Sequence, residues 1–398
     1  MRGLDSGRVL LLGKDPALFG EGNGIGDTLE RHIQYAKRWR EVSGESGDIK
    51  ILCYTERSDQ FTRQSPAKGL EIIPTRSFFR AQFSVDVWKL IKQLEYEGWI
   101  PDLISPQTPW EEGNVAAKAA DKYEALLVPQ LHFDLFSKHW KKESFLNPLR
   151  LALAKKVFDR ANAIRVVSHA LKRATLSKFF LSPEKIHVCP VPVLFEADLP
   201  ENRKKNKRAL HLNDCAPLVL YVGRFSIEKN LSDWIHAALK IANENSEVQF
   251  MLVGDGKERA RMMQIVEQSG HGKRFHFKGT VKHHEISMYY GAADIFLLSS
   301  NHEGYGRVLV EAGLSQCAIV STEVASSEEL VEDGVTGILV KNGDILGLTN
   351  ALMSLLLDSR KRKSMGCLAR RKMLNEQSAD LLVSRITKMW SDALSNRR

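Results

Sequence analysis

Short, unbroken apolar blocks alternate along the chain with longer stretches in which apolar residues recur every three or four positions. The blocks have the length of strands: RVLLLG (8–13), DIKILCYT (48–55), PDLISPQ (101–107), ALLVPQ (125–130) and IRVVS (164–168). Between them, GDTLERHIQYAKRWREV (26–42), SVDVWKLIKQLEYEG (84–98) and residues 113–123 carry the stripe of an amphipathic helix. Strand–helix alternation of this kind predicts a parallel α/β sheet.

The rhythm breaks over VCPVPVLFEADLPENRKKNKRALHLNDCAP (188–217), whose prolines and charged run read as an interdomain linker. It then restarts with LVLYVG (218–223), VQFMLVG (248–254), FHFKG (275–279), DIFLLSS (294–300), AIVST (318–322) and GILV (337–340), again with helical segments between. A second parallel sheet is expected. Two doubly wound domains make a cleft, and such sheets bind ligands at the carboxyl ends of their strands.

Length agrees with this: 398 residues are too many for one ordinary core. At 43% hydrophobic and 26% charged residues, the composition is that of a soluble globular protein. No apolar run approaches the roughly 20 residues needed to cross a bilayer. The N-terminal MRGLDSGRVLLLGKDP lacks a small-residue cleavage site, so a signal peptide is not expected. Cys53, Cys189, Cys215, Cys317 and Cys367 show no metal or redox spacing. They are expected as reduced, buried thiols of a cytoplasmic protein.

Charge adds one feature. Residues 138–178 contain eleven Lys or Arg and two acids, a local excess of +9 that equals the net charge of the whole chain. KHWKKESFLNPLRLALAKKVF, the first part of that segment, interleaves apolar residues with cations. It suits either a helix on an anionic membrane or a domain helix with a solvated basic face. NRKKNKR (202–208) and RKRK (360–363) read as solvated helix ends or linker. No aromatic-interleaved basic motif points to nucleic acid.

The strand ends carry the chemistry. In YVGRFSIEKN, Arg224 lies just past a strand and Lys229 five residues on. Two cations there suit a diphosphate, or are simply solvated surface charges. SSNHEGYGRVLVEAGLSQ (299–316) follows another strand and holds Glu303 and Glu311. Were the whole stretch helical, eight positions would set the two carboxylates about 80° apart, off a common face. A helix starting near Gly306 instead leaves Glu303 in the loop and Glu311 about one turn inside. Backbone N–H groups of Tyr305, Gly306 and Arg307 then form an anion site, with glycines allowing close approach. Carboxylates flanking a phosphate site suit the hydroxyls, phosphates and hydroxyls of a nucleotide sugar.

These stretches, with LVGDGKER, FKGTV and LVEDGVTGILVKNGD, resemble the donor half of the large retaining glycosyltransferase family numbered four, which has the GT-B fold. The first half resembles the family more loosely, through GNGIGD, PDLI, VPQLHFD and VVSHALKR…LSPEKIHVCPVPV. The resemblance implies two Rossmann-like doubly wound domains facing a central cleft. Residues 1–190 would be the acceptor-side domain, 191–216 the linker and 217–375 the donor domain. A C-terminal helix (376–398) would cross back to the first domain. Glu311 would bind the donor ribose and Glu303 the transferred sugar. Tyr305, Gly306 and Arg307 would contact the diphosphate through backbone N–H groups, and Arg224 and Lys229 would neutralise it. The base would lie near Gly254 and the Gly279–Thr280 turn. The loop containing Gly24 would face the donor phosphates, and His132 would lie by the transferred sugar, with Asp134 beside it. Three departures from the family pattern stand out: Asn230 in place of a glycine, Arg307 in place of an apolar residue, and GLSQCAIV in place of a small-residue run.

The function expected from this resemblance is retaining transfer of a sugar from a nucleotide-diphosphate sugar, by front-face attack, to a glycolipid or cell-surface polysaccharide. No metal and no cofactor are expected, because the two cations and the helix dipole would stabilise the leaving diphosphate. The expected place is the cytoplasm, peripheral on the inner face of the membrane. The alternatives are a nucleotide-sugar 2-epimerase of the same fold and a donor-binding protein without transferase activity.

Overall fold

The computed structural model describes residues 7–20, 26–56, 60–137, 140–141 and 144–396. The chain divides into two compact units, Met1–Leu194 with Ala379–Arg398, and Phe195–Ser378.

In the first unit β1 (Arg8–Gly13), β2 (Asp48–Cys53), β3 (Gln64–Ala67), β4 (Leu70–Pro74), β5 (Leu103–Pro106) and β6 (Leu126–Leu127) form a sheet in the order β3-β4-β2-β1-β5-β6. β1 pairs in parallel with β2 from Arg8↔Asp48 to Gly13↔Cys53, and with β5 from Val9↔Leu103. Its unbroken apolar sequence has a structural cause. Val9 and Leu11 enter one core with Tyr35, Trp39 and Trp390, and Leu10 and Leu12 enter the other with Phe83, Val87 and Ile91. A strand buried on both faces has no polar side to display. The antiparallel pairing of β3 with β4 has no counterpart in the expected alternation. β3 is a short, partly exposed edge strand containing Pro66, without the apolar run that marks the others.

A smaller parallel sheet holds β7 (Gln130–Leu131), β8 (Ile164–Val166) and β9 (Ile186–Val188). The helix Ala379–Ser395 belongs to this unit. Its Trp390 packs edge-to-face on Trp39, with ring centroids 5.7 Å apart, against the helix Thr28–Ser43.

The second unit is a parallel sheet of β10 (Leu218–Val222), β11 (Gln249–Val253), β12 (Phe275–Gly279), β13 (Ile295–Leu298), β14 (Ala318–Thr322) and β15 (Gly337–Val340), in the order β12-β11-β10-β13-β14-β15. The chain runs outward from β10 to β12, then returns to lay β13 beside β10. That reversal is the topological switch point, where ligands of such sheets bind.

The segment expected as linker is only partly one. From Phe195 it belongs to the second unit, and Arg203–Ala209 is a helix. Lys207, in the run read as solvated, is 3% exposed and donates to Asp294 Oδ2 at 2.7 Å and to the Ala216 carbonyl at 2.6 Å. Asp294 lies just before β13, and burying its carboxylate requires a cation partner. Among the thiols, Cys53, Cys189 and Cys317 are buried as expected, but Cys215 and Cys367 are exposed. No helix of the described residues is long and apolar enough to cross a membrane.

Candidate functional site

The loops after β10 and β13 meet at the switch point of the second unit. The Ser299 hydroxyl donates to the carbonyls of Lys229 (3.1 Å) and Asn230 (2.9 Å), and Asn301 N donates to the Glu228 carbonyl (2.9 Å). Within this frame Lys229 Nζ donates to Glu303 Oε1 at 2.5 Å, and the Ser300 hydroxyl reaches the same oxygen at 2.7 Å. The side chains of Lys229 and Glu303 are 15% and 9% exposed, so this lysine is not a solvated surface charge. Arg224 differs. Its side chain is 79% exposed and reaches Glu228 Oε1 at 3.3 Å. Asn230 explains its departure from glycine: its φ is +46°, and asparagine is among the residues that best tolerate left-handed backbone.

The stretch 299–316 adopts the second of its two expected geometries. Gly306 (φ +78°) caps the helix Arg307–Leu314, leaving Glu303 in the loop and Glu311 in the helix. The positive end of the helix dipole therefore lies at Arg307. Glu311 is 7% exposed and accepts from the Tyr290 hydroxyl at 2.8 Å. Burial, then the Glu311 carboxylate, push the Tyr290 phenol well above its ordinary range, so it stays a donor. Tyr305 is buried, and its hydroxyl donates to Gln377 Oε1 at 2.8 Å, which fixes the turn before the helix.

Gly254 follows β11 with φ +133°, and a Cβ there would lie 1.9 Å from the Gly223 carbonyl oxygen. Glycine is thus required where the loops after β10 and β11 touch. Gly254 N also donates to the Gly279 carbonyl at 2.8 Å, and Thr280, the next residue, is exposed. Among the described residues no group of three or more His, Cys, Asp or Glu is arranged to hold a metal ion.

In the first unit His132 follows β7, and its Nε2 lies 3.1 Å from Gln130 Oε1. Burial, then Arg165, Arg31 and His32, hold its pKa down at about 3, so the imidazole is neutral. Asp134 closes a turn by accepting from Phe136 N at 2.8 Å. Gly24 lies outside the described residues. His132 also lines a cavity with Asp15, His32, Gln130, Arg165 and Trp390.

Several of these groups are not legible in the sequence. Tyr290 and Ser300 hold the two glutamates, yet hydroxyl residues among apolar ones carry no signal. Arg165 did carry one: a cation inside the apolar block IRVVS is anomalous in a buried strand. The basic segment is also less of a solvated surface than its composition indicates. Arg165 is 3% exposed, Trp140 is buried, and Arg150, Lys155 and Arg160 pair with Glu111, Asp159 and Asp121. Lys138 and Lys142 lie outside the described residues.

Two family models match the chain: Glycosyl transferases group 1 over residues 202–372, and Glycosyltransferase Family 4 over residues 46–193. The 2-deoxystreptamine N-acetyl-D-glucosaminyltransferase of Niallia circulans is 30% identical over 147 residues, 37% of this chain and 38% of that protein. The lipopolysaccharide core biosynthesis glycosyltransferase LpsE of Rhizobium meliloti is 29% identical over 37% of this chain and 42% of its own length. The chain spans 38% to 63% of the length of the first curated relatives it matches. Among solved structures, Anabaena HepE in complex with UDP-glucose is 21% identical, with a TM-score of 0.75 over 98% of this chain and 99% of that one. That likeness shows the fold, GT-B.

Proposed function

The chain belongs to the family 4 glycosyltransferases of group 1, and from that premise we propose that it is a retaining, metal-independent transferase using a nucleotide-diphosphate sugar. The observation that carries this is the Lys229–Glu303 pair at the β10/β13 switch point, beside the helix start at Gly306 and with Glu311 inside that helix. A cation and a helix N-terminus recognise a diphosphate. A carboxylate on each side recognises hydroxyls: Glu311 those of the ribose, Glu303 those of the transferred sugar. Lys229 exchanges part of its bond to Glu303 for the diphosphate, and Arg224, exposed, closes onto the same group. Tyr305, Gly306 and Arg307 offer backbone N–H groups, and Gly254 and Thr280 border the base.

The reaction is front-face. The bond from the anomeric carbon to the diphosphate oxygen breaks as the acceptor oxygen approaches the same face. The leaving diphosphate takes the acceptor's proton. Lys229, Arg224 and the helix dipole stabilise the charge that develops on it, commonly the largest catalytic contribution. His132 is neutral and serves as a hydrogen-bonding group rather than a charged one.

The acceptor is a glycolipid or surface saccharide, and the protein works at the inner face of an anionic membrane. The support is local: Phe145 is 91% exposed and Leu149 60%, beside exposed Lys155 and Lys156. Apolar groups flanked by lysines suit the headgroup region.

A thermal-shift panel of UDP-, GDP- and ADP-sugars tests the donor half. One base is expected to raise the melting temperature at concentrations above its Kd, by mass action. No shift with any nucleotide sugar would remove the donor site from the reading.

A further inference from the structure

The first unit holds a half-open cavity of about 180 Å³, roomier than the ~150 Å³ pocket that admits a benzene ring. Its polar lining is unusual in what it leaves unsatisfied. Arg165 is 3% exposed, with Nε on the Cys189 carbonyl (2.9 Å), Nη1 on Gln130 Oε1 (2.7 Å) and Nη2 on the Pro190 carbonyl (3.1 Å). Among the described residues no carboxylate pairs with it. A guanidinium has five N–H groups, so two lack an acceptor among the described residues. Trp390, also on the cavity wall, is 1% exposed, and its indole N–H has no partner among the described residues. A buried, unneutralised cation costs several kcal/mol unless something compensates it.

Of the other polar groups on the wall, Arg31 is a second guanidinium, already paired with Asp27 Oδ1 at 2.6 Å, whereas His32, His132 and Asp15 present acceptors. His32 Nδ1 lies 2.6 Å from the Thr28 carbonyl, so Nδ1 carries the proton and Nε2 the lone pair. Gln130 is oriented by its amide donating to the Ser105 hydroxyl (3.0 Å), so His132 Nε2 donates to its oxygen and Nδ1 is left as an acceptor. Burial and neighbouring arginines hold both imidazoles at pKa values of about 3, so both are neutral. Asp15, on the same wall, accepts from Ala17 N (3.1 Å) and the Thr28 hydroxyl (2.7 Å), each carboxylate oxygen keeping a lone pair.

We infer that this cavity binds a small hydroxylated oxyanion, its carboxylate or phosphate on Arg165 and the Trp390 N–H, its hydroxyls on His32, His132 and Asp15. An oxyanion both neutralises the guanidinium and uses its spare N–H groups. In the transferase, a role that rests on the reading above, the occupant is the anionic end of the acceptor.

Calorimetric titration of the full chain, without nucleotide, tests the inference with D-glycerate, glycerol 3-phosphate and glycerol. One or both anions should bind at least about tenfold more tightly than glycerol, the two arms telling carboxylate from phosphate. Trp390→Phe keeps the ring and removes the N–H. Arg165→Lys keeps the charge and removes the fork. Each folded variant, checked by its melting curve, should weaken anion binding about tenfold. Equal binding of glycerol and both anions, or wild-type affinity in Trp390→Phe, overturns the inference. UDP, GDP and ADP titrated into the same protein separate it from the transferase reading. Anion binding without nucleotide binding sinks only that reading, and the reverse sinks only the cavity.

Discussion

Lys229→Ala removes one half of an ion pair whose members are 15% and 9% exposed and 2.5 Å apart. Truncating one partner of a buried pair costs about 3–5 kcal/mol, because the other charge is stranded. Here the Ser300 hydroxyl still donates to the stranded oxygen of Glu303, which places the loss near the lower end, about 3 kcal/mol. For a unit the size of residues 195–378, each kcal/mol moves Tm by about 2–4 °C, so the expected drop is about 6–12 °C. Adding Glu303→Gln neutralises the stranded carboxylate and should restore most of that loss. Function should not follow stability. Losing a charge-assisted hydrogen bond to the diphosphate costs about 1.5–3 kcal/mol, a weakening of roughly tenfold or more in both variants. Calorimetric unfolding reads the first quantity and titration with a nucleoside diphosphate the second. A single variant melting within about 1 °C of wild type, against the 2–4 °C per kcal/mol expected, refutes the buried-pair energetics. A double variant that regains both stability and nucleotide affinity shows that the lysine only neutralises Glu303.

Three further outcomes are expected. Glu311→Gln should weaken binding of the bare nucleoside diphosphate, whereas Glu303→Gln should spare that affinity and reduce sugar transfer; equal loss of affinity in both would reverse the assignment of ends. The pH dependence of stability has opposing parts. His32 and His132 sit at about 3 in the folded protein against 6.5 ordinarily, so the unfolded chain gains protons first and stability is lost as pH falls from 6.5 toward 3. Glu112, raised by burial to about 7 from 4.5, contributes stability that is present below 4.5 and lost as pH rises to 7. Between pH 8 and 5 the histidines remove about 4 kcal/mol and Glu112 returns about 2.5. Glu112→Gln should therefore steepen the acid loss in urea titrations to about 4 kcal/mol, and an unchanged slope would contradict the origin given. Finally, the protein should co-sediment with anionic vesicles in a salt-sensitive way, and Phe145→Ser with Leu149→Ser should weaken this without altering nucleotide affinity; no preference for anionic over neutral vesicles at low salt would sink the membrane reading.

Much of the fold was legible because the central strands of both six-stranded sheets are buried on two faces. RVLLLG and LVLYVG announce themselves as strands for the same reason that Val9 and Leu10 enter different cores. The edge strand QSPA has no such run and stayed invisible. The helix Arg203–Ala209 was hidden by its charge, since nothing local reveals that Lys207 will meet Asp294, 87 positions away. In the candidate site, the helix start at Gly306 was readable from the glycines and the preceding strand. The partners of the glutamates were not. Tyr290 and Lys229 reach Glu311 and Glu303 only through the sheet's return from β12 to β13. The cavity of the first unit was least legible, because His32, His132, Arg165 and Trp390 come from four separate stretches of the chain.

The most direct measurement follows the anomeric proton by NMR during turnover, with the nucleotide sugar that gives the largest thermal shift, an acceptor, and EDTA in excess. Retention predicts that an α-linked donor yields an α-linked product, with nucleoside diphosphate released in equal amount and the rate unaffected by the chelator. A β-linked product, a rate abolished by EDTA and restored by a divalent cation, or turnover of the donor without acceptor into an epimer would each contradict the account.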